Sequence, residues 1–436
     1  MKFPTTALVR RFGAARHPDA GNSKPGRRDI GKLLVKSALA LATAGCVVFT
    51  ASAQTGPIKI GVVTPNAGGM AVIGDDLARN YELAADYLNA KGGIRGRKIQ
   101  IIRGDATNAQ EAIAAVEKLV GRDKVEIVAG TIASFMSIAA SETAMNYNVL
   151  YWETNSLAKN LTERGLPNFA RSGPSSDHFA QIAVRGTLES LSKKIGKNAK
   201  DLKIWIEHED SNYGTSIAEE QKKLFEKAGA TVVTSGHSLK AIDLTDSILR
   251  AKNMNPDIWI SAGYVVDTNL LLRTSREQGF KPAATILVGV GDTNETLSAI
   301  GADYLNGVIV ASYPRAAINP KFGPGAAEVA KAYEAKYKVP PVATSGTNGY
   351  VGMLMLARAI DAAGGSTAYK DVLAAAKKMD VPLGTFETGY GIKFDDNMQN
   401  TRAMPTLSQW QDGKVVVVYP VEAMVSGAEL RGLARK

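Results

Sequence analysis

The sequence predicts an α/β protein of two Rossmann-like lobes, each with a parallel-sheet core, joined by a multi-crossing hinge. Three observations predict it. From Pro57, short apolar runs alternate with amphipathic stretches of helical length, the pattern of parallel strands covered by helices on both faces. The alternation halts at the turn-rich segment Arg171-Ser-Gly-Pro-Ser-Ser176 and then restarts for a second unit of similar size. After residue 312 the chain is mostly helix, with too few strands for a third unit, so it is expected to return and cover the first sheet. A chain of 436 residues is long enough for two such domains.

In order, Ile58–Val63 predicts the first strand, and Asp75–Lys91 a helix with Leu77, Tyr81, Ala84, Ala85 and Leu88 on one face. Gly92-Gly93 stops it. Lys98–Arg103 is a strand, Asn108–Gly121 a helix and Val125–Ala129 a third strand. Val128–Thr162 then runs strand, small-residue loop, helix, strand, polar loop, helix start. In the second unit Ser176 is placed to cap a helix from Asp177 to Ile195. Strands follow at Leu202–Glu207, Thr231–Ser235, Ile258–Ser261 and Thr285–Gly289, with helices between them, and Gly307–Ser312 is another strand, leading to Tyr313-Pro314. Helices at Gly325–Tyr337, Asn348–Ala363 and Ala368–Met379 precede a hairpin, Leu407–Trp410 and Lys414–Tyr419, turning at Gln411-Asp412-Gly413. The expected divisions are a leader at 1–53, a first lobe at 57–175 with a return at 309–395, and a second lobe at 176–308 with a tail at 396–436.

The formal charge of +10 invites a nucleic-acid reading, but its location argues against one. Residues 1–53 hold nine of the 52 Lys and Arg and two of the 42 Asp and Glu, leaving 43 against 40 with no basic run. Those first residues have the order of an export signal. Arg27-Arg28 precede an Ala-rich apolar run, and Ala51-Ser52-Ala53 gives the cleavage pattern, with cleavage expected after Ala53. The twin-arginine pattern is matched only loosely, because Gly31 stands where an apolar residue is usual. Retention as a membrane anchor is the competing reading of the same run. Cys46, the single cysteine, falls in this leader within Thr43-Ala44-Gly45-Cys46, which resembles a lipoprotein box with a weak first residue. Without it the mature chain has no thiol chemistry. A soluble periplasmic protein is the expected product.

The two loops of Val128–Thr162 each follow a strand's carboxyl end and open a helix. They offer backbone N–H groups and a positive dipole end. Thr131 and Ser134 add hydroxyls at the first loop, Asn155 and Ser156 at the second. Such a pair is suited to a small carboxylate; the alternative is that both serines are ordinary N-caps. No sign of catalysis accompanies them. Ile58–Met70 lacks the G-x-G-x-x-G spacing, and there is no P-loop, H-E-x-x-H or G-x-S-x-G. His178, His208 and His237 show no metal or nucleophile spacing, so no enzyme activity, cofactor or metal is expected.

The stretch IKIGVVTPNAGGMAVIGDDLARNYELAADYLNAKGGIRGRKIQI resembles the start of the leucine/isoleucine/valine-binding protein family. Further matches are Asp105, Gly130 with Ser134, Tyr213-Gly214, Gly263-Tyr264 and Gln409-Trp-Gln-Asp-Gly-Lys414, in consistent order from Ile58 to about Pro420. The resemblance implies the type I periplasmic binding fold, a clamshell. It also implies a monomeric receptor that hands a hydrophobic amino acid or related carboxylate to an inner-membrane ABC permease. By the same resemblance Ser134 binds the ligand carboxylate, Asn155 and Leu157 contact the amino-acid head, and Tyr264 closes from the second lobe. Asp292 stands where an acidic residue meets the ammonium; its other reading is the N-cap of the helix through Glu295. Tyr213 belongs to the matched residues of the second lobe.

Departures from that pattern leave the ligand open. Val72-Ile73 replaces an aromatic residue, as either pocket wall or core, and Phe135-Met136, where small hydroxyl residues are common, either narrows the pocket as ligand-binding residues or packs at the helix start. Tyr151-Trp152-Glu153 replaces an apolar strand end, with Glu153 either meeting a ligand amine or amide or lying solvated in its loop. Aromatic acids, amides and urea-like solutes are therefore alternative ligands. A sensory receptor and an α/β enzyme with a site assembled from distant residues are alternative functions.

Overall fold

The computed structural model describes residues 56–433. The leader, its expected cleavage after Ala53 and Cys46 lie outside the described residues.

The first unit runs β1 (Ile58–Thr64), α1 (Ala71–Ala90), β2 (Ile99–Asp105), α2 (Ala109–Gly121), β3 (Ile127–Gly130), α3 (Ser134–Asn146), β4 (Leu150–Glu153), α4 (Asn160–Glu163) and β5 (Phe169–Arg171). Its five strands are parallel, in the order β2-β1-β3-β4-β5. Alternate residues along the strands serve opposite faces. Val63, Val128 and Tyr151 pack in the cluster that holds α2 and α3 residues. Ile60, Val62, Ile127 and Trp152 pack on the other side.

The second unit runs α5 (Ser176–Gly186), α6 (Ser192–Ile195), β6 (Lys203–Glu209), α7 (Asn212–Lys227), β7 (Thr231–His237), α8 (Thr245–Met254), β8 (Ile258–Ala262), α9 (Val265–Glu277), β9 (Ala284–Val288), α10 (Asn294–Ile300), α11 (Ala302–Leu305) and β10 (Ile309–Ser312). The chain then gives α12 (Ala326–Tyr337), α13 (Thr344–Ala362) and α14 (Tyr369–Lys377), and ends in the hairpin β11 (Thr406–Gln411) and β12 (Lys414–Tyr419). The second sheet has the order β12-β11-β10-β9-β8-β6-β7; its neighbours pair parallel except β10 with β11 and β11 with β12, so β11 alone runs against the others.

Helix α13 is the long apolar element that returns to the first sheet. Its residues Val351, Leu354, Met355 and Leu356 share a core cluster with Leu77 and Tyr81 of α1 and with Trp152. The Trp152 indole donates to the Gly352 carbonyl at 3.0 Å, so a polar atom in the middle of that core is satisfied.

Five expectations shift. Helix α1 begins at Ala71 rather than Asp75, because a 3₁₀ turn at Gly68–Met70 leads straight into it. Ser175, not Ser176, caps α5. Its hydroxyl accepts the His178 N–H, and the His178 ring accepts the Ser175 N–H at 3.1 Å, filling the role usually taken by Glu or Gln. The expected helix to Ile195 is broken by a π-type turn at Thr187–Leu191. Residues 309–312, assigned from sequence to the return segment, form β10 in the second sheet. The strand is buried throughout and extends the parallel register from β9, so the chain leaves that sheet only at Tyr313. At the other end Asn400 pairs with the first unit, its N–H donating to the Arg171 carbonyl at 2.9 Å, so the stretch from 396 is not wholly the second-lobe tail that the sequence predicts.

Candidate ligand-binding site

The carboxyl ends of both parallel sheets face one cavity of about 50 Å³. The first lobe contributes Ile73, Ile132, Asn155 and Leu157; the second contributes Tyr213, Tyr264, Val265, Gly289, Val290, Asp292 and Thr293. Tyr313, just past β10, and Ala343, Thr344 and Ser345 at the start of α13 complete it. The lobes are in contact around it. Phe135 meets Tyr264 edge to face at 6.4 Å between ring centroids, and Tyr264 leans on Tyr213 at 5.1 Å. The Tyr313 hydroxyl donates to the Asn155 carbonyl.

Of the sequence-predicted site residues, Asn155, Leu157, Tyr213, Tyr264 and Asp292 line this cavity, and Ser134, Phe135 and Glu153 do not. Ser134 is buried and its hydroxyl accepts the Ala158 N–H at 3.0 Å, pinning the second loop to the start of α3. It is therefore not the side-chain cap of its own helix, whose N-cap is Ala133. Phe135 supports Tyr264 from behind the wall. Ile73 belongs to the wall, while its neighbour Val72 is 54% exposed and Met136 is core.

Glu153 corrects both of its readings. It is fully buried, neither solvated nor on the cavity. Its Oε1 accepts three backbone N–H groups, from Thr154 at 2.9 Å, Asn155 at 2.8 Å and Ser156 at 2.9 Å. The concave nest of amides that the second loop offers to an anion is thus filled by the chain's own carboxylate. Burial pushes this carboxyl up to about 7, although the Ser137 hydroxyl, these N–H bonds and the charge of Arg171 all pull it down. Tyr151 and Trp152 are likewise fully buried; Tyr151 stacks on Phe169 with an interplanar angle of 9°. The Tyr151-Trp152-Glu153 stretch shapes core and loop, not specificity by contact.

Asp292 is on the wall, 6% exposed, and pairs with Arg315 at 2.7 Å. The cap of α10 is Thr293, whose hydroxyl accepts the Thr296 N–H, so the N-cap reading of Asp292 fails by one residue. Asn155 has its polar atoms committed: its amide nitrogen donates to the Ser345 carbonyl at 2.9 Å, and its side-chain oxygen accepts from Thr154. Two cavity-lining hydroxyls differ. Tyr264 Oη and Ser345 Oγ are buried with no hydrogen-bond partner in the chain. Burial raises the Tyr264 phenol above its ordinary range, so it stays a donor at neutral pH.

Tyr313, Thr344 and Ser345 escaped the sequence reading. Tyr313 carried a usable signal, an aromatic residue directly after a strand's carboxyl end. Ser345 carried none, since its helix was expected to start only at Asn348.

No helix among the described residues is long and apolar enough to cross a membrane. Residues 57–414 match the family described as periplasmic binding protein. The Leu/Ile/Val-binding protein homolog 7 of Brucella suis biovar 1 (strain 1330) is 35% identical over 399 residues, covering 91% of this chain and 99% of that protein. The substrate-binding protein LivJ of Streptococcus pneumoniae, solved in complex with isoleucine, superposes with a TM-score of 0.70 at 21% identity, covering 84% of this chain and 100% of its own. An R. palustris solute-binding protein in complex with 4-hydroxybenzoate gives 0.71 at 20% identity, with 84% and 97% covered. At those identities the two structures speak for the shared two-lobed fold. Fold, cleft and sequence together make this chain a member of the periplasmic binding protein family, related to the Leu/Ile/Val-binding proteins.

Proposed function

We propose that the protein is the solute receptor of an ABC importer, and that it binds a small, partly apolar carboxylate, foremost a branched-chain or other hydrophobic amino acid. The observation that carries this is the pair of unpartnered hydroxyls, Tyr264 Oη and Ser345 Oγ, on a cavity otherwise walled by Ile73, Ile132, Leu157, Val265 and Val290. Buried donors without partners are rare in native proteins, and a ligand carboxylate satisfies two at once. The aliphatic walls take the apolar part, and Asp292 meets an ammonium. The crossings near residues 172–175, 313 and 404 serve as the hinge. Solute binding favours the closed form because only there do Tyr264 and the first-lobe wall meet it together. The permease reads that closed form, and no chemical step is performed.

A second reading has its own support. Asp292 already has a cationic partner in Arg315, so a solute need not bring an ammonium to neutralise it, and an aromatic acid fits the same wall.

The test is a thermal-shift screen of residues 54–436, stripped of co-purified solute, against leucine, isoleucine, phenylalanine, benzoate, 4-hydroxybenzoate, a dicarboxylate and short amides. A solute that binds only the folded state raises the melting temperature. Stabilisation by amides and by no carboxylate overturns the anion site; turnover of a bound solute overturns the receptor role.

A further inference from the structure

Behind the cavity wall of the second lobe lies a buried charged triad that the binding reading leaves unused. His237, the last residue of β7, has its Nδ1 2.9 Å from Glu207 Oε1 and its Nε2 3.1 Å from Asp267 Oδ2. All three side chains are within 3% of complete burial. Glu207, on β6, also accepts from the Trp205 indole at 3.0 Å and from Ser247 of α8 at 2.5 Å. Asp267, in the first turn of α9, turns its other oxygen back to accept the Tyr264 N–H at 2.9 Å. The carboxylate lies so close to Gly263 that a Cβ there would sit 2.0 Å from Asp267 Oδ2. One histidine thus ties the ends of two strands to the backbone that carries Tyr264.

We infer that His237 is a positioning residue for the solute site: by bridging Glu207 to Asp267 it holds the Gly263–Val265 backbone, and with it the Tyr264 ring, against the cavity. It touches no solute. A buried ion pair of this kind fixes geometry more than it adds stability, and a ring that must meet Phe135 of the opposite lobe benefits from that. The titratable groups facing the imidazole are Glu207 from β6 and Asp267 from α9; α8 contributes the Ser247 hydroxyl through Glu207, and Glu209 acts on Asp267 from further along β6. Burial alone pushes the imidazole down, but its hydrogen bonds to Asp267 and Glu207 outweigh that and raise it to about 9. It therefore bridges as a cation at neutral pH, with both nitrogens donating.

The role rests on the solute reading of the cavity, so the experiment has one arm that needs no solute. In the solute-free protein, amide exchange at Tyr264 is compared between wild type, His237→Gln and Asp267→Asn, with core amides of β8 as internal reference. The expected result is exchange at least tenfold faster at Tyr264 in both variants with β8 unchanged. Equal exchange at Tyr264 overturns the inference. The wild type supplies a second measure that no misfolded variant can spoil: the His237 ring is expected to titrate near pH 9 by NMR, and titration near 6.5 removes the bridge. In the solute arm, isoleucine affinity is expected to fall about tenfold in His237→Gln, and in wild type to weaken as pH rises through 9, a dependence absent from the variant. Unaltered affinity and pH profile in a variant whose Tyr264 amide is loosened also overturn it. If isoleucine binds no form, the amino-acid reading fails, while exchange and titration still decide on His237.

Discussion

Glu153 Oε1 lies 2.8 Å from the Asn155 backbone nitrogen, the centre of three amide contacts by which the chain supplies an acceptor oxygen to its own loop. The carboxyl is fully buried, and burial pushes it up to about 7 from its ordinary 4.5. An acid raised on folding adds stability below pH 4.5 that is lost as pH climbs through 7. The difference corresponds to about 3 kcal/mol. Urea unfolding of the wild type between pH 4.5 and 8 is expected to show that decline. Glu153→Gln, which keeps an acceptor oxygen for the amides and cannot ionise, is expected to flatten it. An identical slope in both proteins would place the titrating group elsewhere.

Ser134→Ala is expected to do two things. It strips the Ala158 N–H of its acceptor at 3.0 Å, which costs about 1–3 kcal/mol for a buried amide. It also frees the second loop from α3 and so weakens solute binding through Leu157 and Asn155. Denaturation midpoint and calorimetric affinity measured on the same sample separate these effects. Lowered stability with unchanged affinity would leave Ser134 as a tie between loops and nothing more.

Arg315 occupies the charge of Asp292 at 2.7 Å, so it competes with any solute ammonium. Arg315→Gln is expected to raise the affinity for isoleucine relative to its deaminated analogue by about tenfold, equivalent to ~1.4 kcal/mol. The measurement is the ratio of the two dissociation constants in each protein. A ratio that does not move shows that the ammonium, if present, is held elsewhere.

Gly289 has a φ of +83°, and a Cβ built on it would sit 2.2 Å from Tyr213 Oη. That hydroxyl donates to the Val288 carbonyl at 2.7 Å. Gly289→Ala is expected to cost about 1–2 kcal/mol in backbone strain and to displace Tyr213 from the wall, weakening binding beyond the stability loss. Tyr213→Phe, which keeps the ring, is the control expected to bind more tightly than Gly289→Ala. The reverse order would mean that the phenol's hydrogen bond, not the ring's position, matters.

The lobes were legible because their signals are periodic: Ile58, Ile60 and Val62 alternate with Lys59 and Gly61, and α1 repeats apolar residues at helical spacing. The site was legible mainly in the loops that follow strand ends, as at Asn155, Leu157, Tyr264 and Asp292, and at Tyr213 in the first turn of α7. Glu153 misled because sequence shows a carboxylate beside a loop but not which way the side chain turns. Here it folds back on its own amides. Ser345 and the Glu207–His237–Asp267 bridge were invisible for a different reason. Their partners lie tens to hundreds of residues away in the chain, and no local pattern records such distances. The crossing at Tyr313 was set too early because a four-residue apolar strand reads the same in either sheet.

Helix α13 carries a consequence for the order of assembly. Its interior buries the first sheet through Trp152, while its first turn supplies Thr344 and Ser345 to the cavity, and Tyr313 stands on the crossing before it. A chain emerging from its amino end has all the strands of the first sheet by residue 171 but neither the cover for them nor a closed receptor. Those contacts span some 200 residues of sequence, which makes their formation late and slow. Binding competence thus waits on residues past 344, and truncation or stalling before residue 345 leaves the first sheet uncovered, the second without its β11–β12 hairpin, and no receptor.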